Sequence, residues 1–263
     1  MISIWHTLGA SALVILLYVT TWFVLALALE RNDVADVAWG LGPAVLAWWL
    51  YIRAWTFGPT PLLLAALLVT VWGARLAVHI ARRDFAPGRG EDPRYAAWRA
   101  EWRFFIARSY LQVFLLQGAL MLLVSMPLVV LASSPLLGLP VLTVLGAALW
   151  LAGFTFESIA DRQLAEFLAE PREKRGRVMD RGLWGWSRHP NYFGESLMWW
   201  GLGVIALGVP YGYLGLIGPV TITVLLVFVS GIPLVERRHA GEADWEAYKA
   251  RTSAFLPMPP HRD

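Results

Sequence analysis

Cysteine is absent from the 263 residues, so disulfides, thiol nucleophiles, iron–sulfur clusters and cysteine-type zinc sites are excluded together. Charge is scarce as well. Only 16% of residues are charged, against about 25% in an ordinary soluble domain. With 57% hydrophobic residues, 15 Trp and a mean hydropathy of +0.54, this deficit excludes a water-soluble globule. The five His show no H-E-x-x-H or comparable spacing, which argues against a metal site. No internal repeat is visible, and the net charge of +3 is too modest to suggest a nucleic-acid partner. The apolar runs are too long, and alternate too little, for barrel strands.

What is present is a series of apolar windows near the length of about 20 residues that a membrane helix needs. They cover residues 4–29, 34–52, 61–80, 110–131, 139–156, 193–207 and 214–235. The fold class expected is therefore an all-α polytopic membrane protein with about seven transmembrane helices, forming one integral membrane domain over 1–263. The first window lacks a basic flank, and Trp22 and Phe23 stand where a signal peptide needs small residues, so it is expected to be a retained span. Seven spans bring all but Arg53 and Arg75 of the 22 Lys and Arg to one side, through the Arg31 turn, connections 82–109 and 161–190, and tail 236–263. The positive-inside rule then puts the N-terminus outside and the C-terminus in the cytoplasm. Residues 240–255 are expected to form an amphipathic helix whose Trp245, Tyr248 and Phe255 dip into the interface.

Ionisable groups at membrane depth are costly and point to function. Asp33 and Asp36 share one helical face at the start of the second window. One reading is capping, with Asn32 or Asp33 as N-cap and Asp36 favouring the positive end of the helix dipole. The other makes Asp36, a turn deeper, a site carboxyl. Arg75 and His79 lie four apart on the third window. Either they are core residues joining two spans, or His79 faces the same cavity as Asp36 and donates a proton to a carbonyl. Glu157, Asp161 and Glu195 complete the set.

The densest signal is RGLWGWSRHPNYFGE over 181–195. Ser187, or Pro190 in a first turn, begins a helix there, and Asn191 and Glu195 project from one face. An amide and a carboxylate so placed can bind a planar carboxamide or a purine edge. The upstream basic run of Arg172, Lys174, Arg175, Arg177 and Arg181 either holds phosphates or only marks the cytoplasmic side.

The block SRHPNYFGE (187–195), followed by Glu236 and WEAYKARTSAFLP (245–257), resembles the steroid 5α-reductase C-terminal superfamily. With DVADVAWGLG near the N-terminus and WGARLAVHIARRDFAPGRGEDPRYAAWR after it, the chain looks like the bacterial DUF1295 branch over nearly its whole length. The resemblance implies an NADPH-dependent reductase of a bacterial inner membrane. It would transfer hydride to an enone-like C=C bond of a lipophilic, steroid-like substrate, among membrane lipids. Asp161, Arg177, Arg188, His189, Asn191, Tyr192, Glu195, Arg238 and Tyr248 are implied to bind the cofactor. The catalytic carboxyl falls on Asp36, one methylene shorter than the family glutamate. The family tyrosine falls at or beside His79, so its phenol is missing there. Two alternatives remain open: a methyltransferase using S-adenosylmethionine, of the isoprenylcysteine type that carries a related R-H-P-x-Y segment, and a non-catalytic lipid-binding protein.

Overall fold

Each apolar window becomes a helix, because backbone polar groups in a lipid interior must be satisfied within their own segment. The computed structural model describes residues 3–54, 60–134, 140–171 and 173–259. Arg172 of the basic run, and His261 and Arg262 of the tail, lie outside them. Among the described residues there are α1 (Ile4–Leu29), α2 (Val34–Arg53), α3 (Pro61–Asp84), α4 (Pro93–Glu101) and α5 (Phe105–Val124), and no strand. Then follow α6 (Met126–Ser133), α7 (Pro140–Ala169), α8 (Pro190–Ala206), α9 (Ile217–Val224), α10 (Ile232–Arg238) and α11 (Ala243–Arg251). Among the described residues six runs are long and apolar enough to cross a membrane: α1, α2, α3, α5, α7 and the broken run Gly212–Arg238. The chain is thus an all-α, multi-pass membrane protein. The window at 193–207 does form a helix, but α8 has 17 residues, about 26 Å at 1.5 Å per residue.

The helix boundaries follow local chemistry. Thr60 accepts the Leu63 amide with Pro61 in the first turn of α3, and Asp92 accepts the Arg94 amide with Pro93 opening α4. The fourth window is corrected at both ends. Its span begins at Phe105, passes through a π-helical turn at Tyr110–Leu115, and stops at Ser125, where Pro127 starts a separate helix. The α6 side chains Met126–Leu131 are buried all round.

The structure divides into two compact units, residues 1–143 with 205–217, and residues 144–204 with 218–263. In the first, α1 presents a narrow buried seam of Thr7, Ser11, Ile15, Val19 and Ala26, while Leu13, Leu17 and Val24 on its other faces are exposed, as lipid-facing residues are. Tyr18 donates from its hydroxyl to the Ala38 carbonyl at 2.8 Å, tying α1 to α2. The α2–α3 contact is made by glycines: a β-carbon on Gly73 would lie 2.2 Å from the Gly40 carbonyl oxygen. Between helices in lipid there is little hydrophobic driving force, so small residues that let backbones approach carry the association.

The second unit uses the same device twice. Gly146 and Gly153 on α7 meet Gly201 and Gly194 on α8, and a β-carbon on Gly153 would lie 2.6 Å from the Gly194 carbonyl oxygen. This seam brings the Glu157 stretch of α7 directly against Gly194. Beyond the apolar part of α7, Phe167, Met179 and Trp184 form a small core, and the Trp184 indole donates to the Ala160 carbonyl at 3.0 Å.

Candidate functional site

In the first unit, the two segments singled out on either side of α3 fold onto each other. Arg31 reaches Asp33 through two nitrogens, at 3.1 and 2.6 Å, and donates to the carbonyls of Asp84 and Gly90. Asp33 is fully buried and also accepts the Asp92 amide at 3.0 Å. The Asn32 amide donates to Glu91, whose carboxylate is gripped by Arg99 at 3.0 Å through two nitrogens. The Asn32 side chain donates to Ser109. The capping reading of Asn32 and Asp33 is corrected: Asp33 occupies the N-cap position of α2 but makes no side-chain cap bond. Its oxygens are taken by the charged guanidinium of Arg31 and by the Asp92 amide of the 84–92 loop, which leaves the start of α2 without them.

This network delivers α4 to Asp36. The Tyr95 hydroxyl donates to Asp36 Oδ1 at 2.7 Å, and Arg94 donates to Oδ2 at 3.0 Å. Arg94 also holds Asp92 at 2.9 Å. Tyr95 is only 3% exposed. Burial, reinforced by the negative charge of Asp36, raises its phenol well above the ordinary value, so it keeps its proton near neutrality. Burial works against the charge of Asp92, but the donors of Arg94 win and leave its carboxyl below the usual range. Asp36 accepts at both oxygens; the proton donor of the pair is Tyr95. His79 is exposed on α3. A phenol does reach Asp36, from residue 95, on a helix carried by the RGEDPRY loop. Arg75 is half-buried.

In the second unit, Ser187, Arg188 and His189 are buried ahead of α8, which begins at Pro190 as its sequence indicates. Arg188 holds Glu236 on α10 at 3.0 and 2.5 Å and donates to the Thr252 and Lys249 carbonyls. Its amide donates to Ser253, and the Ser187 hydroxyl donates to Phe255. Tyr248, 1% exposed, donates from its phenol to the Trp184 carbonyl at 2.5 Å. Arg188 and Tyr248 thus have polar groups engaged with Glu236 and with backbone carbonyls, contacts that fasten the tail. One expectation changes here. Trp245 and Tyr248 of α11 are buried in protein instead of dipping into an interface, and Phe255 packs on Phe193 at 5.8 Å.

His189 is different. It is 3% exposed, stacks on Tyr192 at 5.4 Å with rings nearly parallel, and its Nε2 has no hydrogen-bond partner. Burial pushes its imidazole down to about 4, against the pull of Glu236 at 3.7 Å. Asn191 and Glu195 lie half-buried on one face of α8; the Asn191 oxygen accepts the Tyr192 amide, which leaves its NH2 to donate. Asp161 is half-buried on α7. Arg177 and Arg238 are exposed, Arg177 beside Asp244 at 3.5 Å. No group of three or more His, Asp or Glu that could hold a metal ion occurs among the described residues.

These features define a polytopic helical membrane protein with a buried phenol held on a half-buried carboxylate in one unit and a tail-locked R-H-P helix start in the other. The chain belongs to the DUF1295 family, whose profile, described as a protein of unknown function, matches residues 22–252. No curated protein and no solved structure matches it.

Proposed function

We propose that this protein is a membrane reductase that uses NADPH to saturate the activated C=C bond of a lipophilic enone. The reading joins the family membership to the likeness with the steroid 5α-reductase superfamily, and has the basic segments facing the cytoplasm of a bacterium. The observation that carries it is the Tyr95–Asp36 hydrogen bond. A methyl transfer or passive lipid binding has no need of a buried phenol held on a carboxylate.

NADPH, when bound, supplies hydride, and its addition to the β-carbon of an enone leaves negative charge on the carbonyl oxygen until a proton from water reaches the α-carbon and completes the saturated product. Tyr95 answers that charge. Its hydroxyl is protonated and fixed, so it can turn its hydrogen bond from Asp36 to the substrate oxygen without reorganising solvent. Asp36 orients the phenol and remains paired with Arg94 while it does so. In this reading the donor role considered for His79 falls to Tyr95, and Asp36 keeps the part of the site carboxyl.

The second unit fits the cofactor in part. Asn191 and Glu195 offer an amide donor and carboxylate acceptors suited to a carboxamide. His189 offers an unpartnered buried nitrogen, and Arg177 and Arg238 offer exposed cations for phosphates. The test is the melting temperature of the detergent-purified chain titrated separately with NADPH, NADH and S-adenosylmethionine, since a ligand binding only the folded state raises it. Stabilisation by NADPH that is lost in Glu195→Ala supports the reading. Stabilisation by S-adenosylmethionine alone replaces it with methyl transfer, and no shift with any of the three removes the cofactor from it.

A further inference from the structure

The turn between α4 and α5 carries residues that the proposed chemistry leaves unused. Phe104 sits there at φ 60°, a left-handed conformation unfavourable for a residue with a β-carbon, and its side chain is 71% exposed. Ile106 and Leu111 beyond it are 61% and 58% exposed. Arg103 lies over the Phe104 ring at 5.0 Å, and Arg108 over the Trp102 ring at 4.9 Å. Trp102 in turn stacks on Trp98, with centroids 5.0 Å apart. In the same region Arg31, Arg83, Arg94 and Arg99 are each ion-paired. Arg103 and Arg108 have no carboxylate partner among the described residues.

We infer that Arg103 and Arg108 form a headgroup site for an acidic phospholipid, with Phe104 and Ile106 at the acyl boundary beneath it. Phe105 opens a membrane-length helix, so these residues stand where a span leaves the apolar layer, the level of aromatic belts and of phosphate. An arginine whose forked donors find no carboxylate within the protein is matched by a phosphate oxygen pair, and the ring beneath each guanidinium leaves its donors free at the edge. The exposed apolar side chains on the same turn favour a lipid over a soluble anion. This inference stands independently of the reductase reading, because it concerns a turn that the proposed chemistry does not use.

The full chain in phosphatidylcholine nanodiscs, doped with spin-labelled phosphatidylglycerol or spin-labelled phosphatidylcholine, tests it through the motionally restricted fraction of each label. The wild type is expected to prefer phosphatidylglycerol. Arg103→Gln and Arg108→Gln should each lower that preference by about fivefold, the worth of one basic residue near a charged lipid surface. Arg82→Gln, which removes an exposed arginine on α3 outside the turn, should leave it unchanged. The two single variants are read independently, with their melting in detergent as the check on folding. An equal loss in Arg82→Gln overturns the site in favour of diffuse attraction. Lack of any preference in the wild type overturns it outright. Abolition of the preference by millimolar inorganic phosphate makes it a free-anion site and ends the lipid assignment.

Discussion

Lowering the pH should destabilise this protein through His189, by an amount the structure sets. The imidazole is 3% exposed and its Nε2 is unpaired, so burial outweighs the pull of the nearby Glu236 carboxylate, which Arg188 holds at 2.5 Å. Its pKa therefore falls from 6.5 to about 4. Above pH 6.5 the ring is neutral in both folded and unfolded chains, and no cost arises. Between pH 6.5 and 4 the unfolded chain binds a proton that the native one refuses, so stability falls as pH falls. With these two values the loss between pH 7.5 and pH 5 is about 2 kcal/mol, approaching about 3 kcal/mol below pH 4. Other groups titrate over the same range, so the quantity to measure is a difference. Reversible unfolding of the detergent-solubilised protein at pH 7.5, 6.5 and 5 is compared with that of His189→Asn, which keeps a polar side chain and removes the titration. The wild type should lose about 2 kcal/mol more than the variant. Parallel losses would refute the claim that His189 is held neutral in the native state.

Tyr95→Phe should lower NADPH-dependent turnover of lipophilic enones by about 10²–10³-fold, the usual cost of one oxyanion donor, while leaving the NADPH-induced melting shift intact. Asp36→Ala should abolish turnover with the same retained shift, and unchanged turnover in either variant would remove the pair from the chemistry. Arg188→Met should cost about 3–5 kcal/mol by stranding Glu236 among buried partners, and adding Glu236→Met should recover part of that. A double variant no more stable than the single one would show that Arg188 acts through the tail carbonyls alone. Gly73→Ala should cost about 1–3 kcal/mol, because its β-carbon would press on the Gly40 carbonyl at 2.2 Å. Gly9→Ala, with nothing within 4 Å of the added carbon, should not destabilise; equal melting losses in the two would refute the packing argument.

What the sequence determined by itself is the membrane architecture. A span is specified by the length and apolarity of its own residues, so windows at 4–29, 34–52 and 61–80 agree with α1, α2 and α3 within a few residues. Helix starts at Pro61, Pro93 and Pro190 are equally local, since a proline in a first turn gives up an amide that has no helical partner anyway. Asp36 and the R-H-P segment stood out because polar residues are rare in such a chain. Their partners did not. Tyr95 meets Asp36 across 59 residues, and nothing in the periodicity of either segment encodes that pairing. Its one visible trace is the RGEDPRY segment, a charged, proline-bearing loop between two spans. Likewise Asp33 looks like a cap until the folded chain shows which donors reach it first, and nothing local to Arg188 or Tyr248 announces that they fasten the tail. Only tertiary structure decided those roles, because a hydrogen bond is claimed by whichever partner packing brings within 3 Å, and packing is a property of the whole unit rather than of any segment.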